Sequence, residues 1–317
     1  MNRKIVVYFI MVLALCIITT GCEAAEAVPV EVESSSNTQP SITRESLSGA
    51  VFDDGHLGGD LDLLGGLLSD WYGGEVSLEA VSNADIILAM LQADELDFAL
   101  FSFADYVPEQ DGVPLVPLLL PAYEGGSPYY RGAFIVRSGF GAYSLEDLEG
   151  VPMAYAYQEG YYNCWMPRAM LASLGYDPNT FFSDVLPGGN SPAELYTALL
   201  DGDVDVGITW ADEETDGRSS VDGEFPDIWD TTEVVAYTPW IPNFVLFARE
   251  DLMEEDRAAL RTAFLDLIMD DNGQDALFDV AGIIGLEEPD HRYWEAIELL
   301  GDYWYIELDY DLGGWPD

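Results

Sequence analysis

Seven aromatic side chains fall in or beside segments that read as loops: Phe103, Tyr106, Tyr161, Tyr162, Trp165, Trp210 and Trp240. Rings of this kind stack on planar ligands or hold a cation over their faces. Tyr161 and Tyr162 are the strongest candidates, because they stand in a polar loop between Gly160 and Asn163. Each of the other rings fits a core position as well as a binding one. Asp212, Glu213 and Glu214 stand next to Trp210, after Ala211, which is compatible with a partly cationic ligand, although acidic residues occur throughout the chain. Covalent or metal chemistry has less support. His56 and His291 are far apart and match no ligand spacing such as His-Glu-x-x-His, so neither a metal site nor a cofactor is expected. Cys164 near a helix start could act as a thiolate, but a lone cysteine there fits better as a small buried hydrophobe. A thiol enzyme would need it exposed beside His56. His56 itself, in DDGHLGG, follows the first strand and is expected to line a cleft, whereas His291 is expected at the surface.

The elements that must position these residues alternate. Strand-like runs GAVF, VSLEAV, DFALFSF, AFIVRS, VPMAYAY, SDVLPG, VDVGITW and FVLFARE are separated by helical patterns such as LDLLGGLLSDWY and CWMPRAMLASLG. Such alternation predicts doubly wound α/β lobes with ligands beyond the carboxyl ends of strands. The chain also repeats itself. ADIILAMLQADELDFALF (84–101) and PAELYTALLDGDVDVGIT (192–209) align through Asp97 and Asp205, each an amphipathic helix, an acidic turn and a buried strand. Two ordinary helix–strand units can match by chance, but a spacing this wide fits two similar lobes better than a solenoid.

Arg3 and Lys4 precede an apolar run that ends in Thr-Thr-Gly-Cys22, the pattern of a signal segment with a lipidated cysteine, although Thr19 stands where Leu is usual. The run is too short for a permanent membrane anchor. The stretch after Cys22 is rich in Glu, Ser, Thr and Pro and has no aromatic residue, so it reads as a tether, with the folded part starting near Leu47. Cys16 lies within the signal, Cys22 is the lipidation candidate and Cys164 has no partner, so no disulfide is expected. The 59 acidic residues against 11 basic ones give a formal net charge of −48. A chain so charged repels nucleic acid and anionic headgroups, so contact with a membrane is expected through a lipid anchor only. The acidic shell fits either a saline exterior or compositional drift.

The runs ALFSFADYV, SLEDLEG, MPRAMLASLGYDPNTFF, LLDGDVDVGITWADE and YTPWIPNFVLFAREDL follow in order across about 76–268. They resemble successive motifs of the phosphonate, phosphite and phosphate binding proteins of ABC importers. The resemblance implies a type II periplasmic-binding-protein fold: α/β, two lobes, each a sheet flanked by helices, with two crossover strands and closure on a small molecule. YYRGAFIVRS and TEVVAYTPW would be the crossovers. The implied organisation is a signal at 1–21, a tether at 22–46, a first lobe at 47–143, a second at 144–233 and a return with C-terminal helices at 234–317. In that family the loop aligned with Gly160, Tyr161, Tyr162 and Asn163 is a Ser-Thr-Ser-Gly run that wraps phosphoryl oxygens at a helix N-terminus. Here tyrosines replace the hydroxyls, while Pro167 still suits a first helical turn. Asn190 aligns with a usual His, Phe244 with a common acid, and Tyr106 keeps the family's aromatic. The implied ligand set is His56, Phe103, Tyr106, Gly160, Tyr161, Tyr162, Asn163, Asn190, Trp210, Trp240 and Asn243. The expected protein is a monomeric, extracytoplasmic lipoprotein anchored through Cys22. It captures a small molecule for ABC permease subunits and catalyses nothing. The alternative is a ligand-sensing lipoprotein that reports to a signalling partner.

Overall fold

The computed structural model describes residues 42–307 except 54, 111, 124–125, 157–159 and 188–190; the expected signal, most of the tether, Cys22 and Asn190 lie outside the described residues. In chain order the strands are β1 (Ser46–Phe52), β2 (Glu75–Val81), β3 (Phe98–Ser102), β4 (Leu115–Ala122), β5 (Tyr129–Arg137), β6 (Pro152–Tyr155), β7 (Asp184–Pro187), β8 (Val206–Ala211), β9 (Thr232–Tyr237), β10 (Ile241–Pro242), β11 (Phe244–Arg249) and β12 (Gly285–Glu287). They form two sheets. The first runs β12-β4-β11-β3-β1-β2; the second runs β10-β5-β8-β6-β7, with β9 also paired to β5. Parallel pairs β1–β2, β1–β3, β6–β7 and β6–β8 form one end of each sheet, with β2 and β7 at the edge.

The two repeat copies lie in different sheets. In one, Asn83 caps the helix Ala84–Gln92 by accepting from the Ile86 amide; in the other, Ser191 caps Pro192–Asp201 with Pro192 in the first turn. Both helices turn toward their strand through a left-handed residue, Gly202 at φ 83° and Asp94 at φ 62°, which are equivalent in the alignment. Asp94 is the non-glycine exception, and its carboxylate pairs with Arg249 at 2.6 Å. The aligned aspartates take arginines as well: Asp97 pairs with Arg44, and Asp205 with Arg137 at 2.5 Å.

The chain changes sheet between Ala122 and Tyr129, and again at Asn243 between β10 and β11. The expected crossover segments YYRGAFIVRS and TEVVAYTPW adjoin these two changes of sheet. YYRGAFIVRS supplies β5, which pairs with β8 from Arg131↔Ala211 to Val136↔Val206 and with β9 on its other side. Being covered on both edges and largely buried, it belongs inside the second sheet, as its nearly continuous apolar run requires. The strands of the second sheet span 129–242. β4 escaped the sequence pattern because Pro117 and Pro121 interrupt it; the register shifts where Pro117 meets Phe247, so the missing donor is accommodated at an irregularity. The fold also starts before Leu47. Asp256, buried at the start of the helix Glu254–Leu267, accepts from the amides of Thr43 (2.7 Å) and Arg44 (3.1 Å) and from the Tyr72 hydroxyl (3.1 Å).

Apolar clusters cover both faces of each sheet. One holds Leu68, Phe98, Leu246 and Phe264 in the first lobe; two others, around Met153 with Phe182 and around Tyr196 with Ile228, cover the second. A fourth cluster joins the lobes. It combines Phe101, Phe103 and Phe247 of the first lobe with Trp165, Met166 and Ala169 of the second, and with Tyr293, Leu300 and Tyr303 of the C-terminal helix His291–Glu307. That helix touches both lobes. Tyr293 packs edge-on against Phe103, and the Arg168 Nε donates to the Tyr303 hydroxyl at 2.7 Å. Among the described residues no helix is long and apolar enough to cross a membrane.

Candidate functional site

Where the chain changes sheet, strand ends from both lobes converge on two adjoining cavities. The larger, about 480 Å³, is lined by Tyr123, Ser127, Tyr129, Tyr130, Gly160, Tyr161, Tyr162, Trp210, Asp212 and Asn243. The smaller, about 250 Å³, lies on the first lobe and is lined by Val51, Phe52, His56, Leu57, Leu100, Tyr123, Asn243, Phe244 and Ala281. Tyr123 and Asn243 belong to both, so the chambers meet at the two changes of sheet.

Each wall has a local cause. Tyr161–Trp165 winds as a π turn that runs into the α-helix Met166–Ser173, so the expected open loop is already helical and the turn begins before Pro167. The amides of Cys164 and Trp165 both donate to the Gly160 carbonyl, at 2.8 and 3.4 Å. Gly132 lets β5 press against this turn: a Cβ there would lie 2.2 Å from the Tyr162 carbonyl oxygen. Tyr130, one residue after the first ring of β5, meets Tyr162 edge to face with centroids 6.1 Å apart. Trp210 comes from the end of β8, opposite Gly132, and Asp212 follows immediately. Asp212 folds into a turn, its Oδ1 accepting from the amides of Glu214 (2.8 Å) and Thr215 (2.6 Å). Asn243 is held by backbone bonds to each side: its amide donates to Pro128, and its carbonyl accepts from Phe103.

Two tyrosine hydroxyls are committed. Tyr161 donates across the cleft to the Ala104 carbonyl at 2.6 Å, and Tyr129 donates to Asp290 Oδ1 at 3.0 Å. Burial, and then the Asp105 carboxylate, push the Tyr161 hydroxyl far above its ordinary range, so it remains a donor at neutral pH. Burial raises Tyr130 in the same direction, reinforced by Tyr161 and Tyr162. Cation–ring contacts lie beside the larger chamber: Arg131 lies over Tyr237 (3.7 Å) and Trp240 (4.1 Å), and Arg292 over Tyr129 (4.0 Å) and, farther off, Trp240 (5.9 Å). Arg292 also pairs with Asp290 at 2.9 Å and Glu213 at 2.7 Å. Burial works against its charge, and the bonds to Asp290 and Glu213 outweigh that cost.

The sequence-derived set divides accordingly. Gly160, Tyr161, Tyr162, Trp210 and Asn243 come together at the larger chamber, and His56 lines the smaller one. Phe103 and Tyr106 do not line either chamber. They are buried in the interlobe cluster, against Tyr293 and Phe247, and the Tyr106 hydroxyl accepts from the Leu115 amide at 3.3 Å. Asn163 is fully buried behind Gly160 and outside the described lining; its Nδ2 donates to the Ala156 carbonyl of its own lobe. Trp240 lies beneath Arg131 outside the described lining, and Trp165 is core. Cys164 is fully buried in the second lobe's core, away from the His56 chamber, and His291 is exposed. Among the described residues no group of three or more His, Cys, Asp or Glu is placed to hold a metal ion. Sequence reasoning missed Tyr123, Ser127, Tyr129 and Tyr130. The signal for them was SPYYRG at the entrance to a presumed crossover, since a crossover necessarily starts at the cleft.

A family model described as "ABC transporter, phosphonate, periplasmic substrate-binding protein" matches residues 60–294. No curated protein matches the chain. Among solved structures, a Xanthomonas citri protein bound to ATP is 17% identical, with TM-score 0.57, covering 84% of this chain and 99% of that one. A TctC solute binding protein from Polaromonas is 14% identical, with TM-score 0.53, covering 83% and 98%. Transferrin 1 of Manduca sexta is 12% identical, with TM-score 0.60, covering 83% of this chain and 46% of that one. At these identities the likeness is one of fold, the two-lobed type II periplasmic-binding-protein architecture.

Proposed function

Because the chain belongs to the periplasmic phosphonate substrate-binding proteins of ABC transporters, we propose that it captures a small molecule in the paired chambers between its lobes and delivers it to permease subunits. The observation that carries this reading is the convergence of both lobes on one cleft: the chambers meet at Tyr123 and Asn243, and Tyr161 reaches across to Ala104. A ligand touching both lobes stabilises the closed arrangement by its differential affinity for it. Cys22 is the lipid attachment point in this reading, and it keeps the receptor close to its permease.

Inorganic phosphate is a poor candidate for this cleft. Among the described residues the larger chamber is lined by no Arg, Lys or His, and its charged member is Asp212. A tight phosphoryl cradle uses several charge-assisted bonds, each contributing roughly 1.5–3 kcal/mol. The test is a thermal-shift screen of the intact chain with phosphate, phosphite, phosphonates, sulfonates, amines and thiamine-like compounds. A compound at about 100 times its Kd stabilises by about 2.7 kcal/mol. The shift should disappear in Trp210→Ala and shrink in Tyr162→Ala. Absence of any shift across these classes, or a shift indifferent to both substitutions, would overturn the cleft reading.

A further inference from the structure

Building on the cleft reading, we infer that the ligand is an organic cation with an apolar arm, its charged head in the tyrosine chamber and its arm in the chamber of the first lobe. The larger chamber offers five tyrosines and Trp210, with Asp212 as the charged residue among those described. Ring faces attract a desolvated cation through their quadrupoles, and a carboxylate beside them adds to the same preference. An anion in the same place would meet that carboxylate and no guanidinium of the lining.

The hydroxyls point the same way. Tyr161 and Tyr129 spend theirs on Ala104 and Asp290, so at these positions the chamber presents ring surface and not free donors. The neighbouring arginines lie outside the described lining of the larger chamber. Arg292 is held by Asp290 and Glu213, and Arg131 is sandwiched by Tyr237 and Trp240. One ring of the lining, Tyr129, already carries a cation, on the side turned to Arg292.

The second chamber sets the shape of the ligand. Val51, Phe52, Leu57, Leu100, Phe244 and Ala281 give it an apolar lining, and it opens to the first chamber at Tyr123 and Asn243. A head filling the aromatic chamber therefore leaves an exit for an apolar group toward the first lobe. Among its described lining residues the second chamber offers no carboxylate for a second ligand amine, so one cationic head and one apolar arm match the two linings.

Calorimetry on the intact chain tests this with four probes: tetramethylammonium, benzyltrimethylammonium, the neutral 3,3-dimethylbutan-1-ol and methylphosphonate. Benzyltrimethylammonium should bind about tenfold more tightly than tetramethylammonium because its ring enters the second chamber. The neutral alcohol and methylphosphonate should bind at least about tenfold more weakly than benzyltrimethylammonium. Asp212→Asn keeps an Oδ1 to accept from Glu214 and Thr215, and should weaken both cations about equally. Trp210→Ala should weaken them, and Trp210→Phe should restore most of the loss. Ala281→Phe should erase the benzyl advantage and leave tetramethylammonium unchanged. Methylphosphonate or the neutral alcohol binding as tightly as benzyltrimethylammonium would overturn the cation inference and leave the cleft reading standing. Cation binding indifferent to both Asp212→Asn and Trp210→Ala would overturn it as well, and a benzyl advantage that survives Ala281→Phe would overturn the placement of the arm. Should none of the four probes bind while another class in the thermal-shift screen does, the cation inference fails alone; if nothing binds, both readings fail together.

Discussion

Tyr161→Phe isolates one bond between the lobes. The ring, packed against the interlobe cluster, is retained; what is lost is the hydroxyl that donates to the Ala104 carbonyl at 2.6 Å. A neutral hydrogen bond of this kind contributes about 0.5–1.5 kcal/mol net, which corresponds to a change of about 2- to 13-fold in the ratio of closed to open molecules. The bond joins elements 57 residues apart, in different lobes, so its loss should act on closure and leave each lobe's own core intact. Amide hydrogen exchange reads that equilibrium directly. Protection of residues 104–107 and 165–169, which meet in the interlobe cluster, should fall by about 2- to 13-fold, while the amides of β3 and β8 exchange as before. Unchanged protection would show that the hydroxyl adds nothing to closure. An equal loss of protection in β3 and β8 would show that it supports the global fold, and either result refutes the reasoning.

Other consequences can be checked independently. Asp256→Ala should cost about 3 kcal/mol, because it leaves the amides of Thr43 and Arg44 without their acceptor and the Tyr72 hydroxyl with the Arg44 carbonyl alone; a change of midpoint equivalent to less than about 1 kcal/mol in urea unfolding would contradict it. The carboxyls of Asp256 and Asp290 are both held below the ordinary range. Burial opposes their charge, and it is outweighed at Asp256 by bonds from Thr43, Arg44 and Tyr72, and at Asp290 by bonds from Arg292 and Tyr129. A depressed folded value stabilises above the unfolded carboxylate pKa, about 4, and is lost as pH falls through the folded value. The stability gap between the native chain and Asp256→Asn should therefore be full at pH 5 and close toward pH 2; a gap constant over that range would exclude the linkage. Cys22→Ser should move the protein from the membrane fraction to the soluble fraction, and unchanged partition would refute lipid attachment at this residue.

The alternation of strands and helices was legible because it depends on neighbours in the chain. Side-chain periodicity, the caps at Asn83 and Ser191 and the turns at Asp94 and Gly202 are all local, and they fixed two α/β lobes with one repeat copy in each. The rings that gather at the larger chamber were legible in part, in Tyr161, Tyr162 and Trp210. Side-chain destinations were not. Phe103 and Tyr106 look like cleft residues in sequence, yet helix His291–Glu307 and β11, distant in the chain, bury them. Asn163 reads as a loop cap, but the π turn directs it back to Ala156. YYRGAFIVRS reads equally as a crossover or a buried strand, and its partners Val206–Ala211 and Thr232–Tyr237 decide the matter from across the sheet. Tyr129 and Tyr130 then enter the cleft only because β5 begins where the chain changes lobe. Local pattern thus determined which elements form and what chemistry they carry, whereas contacts such as Tyr161 with Ala104, Arg168 with Tyr303 and Asp256 with Thr43, separated by 57, 135 and 213 residues, decided which rings face a ligand and which fill a core.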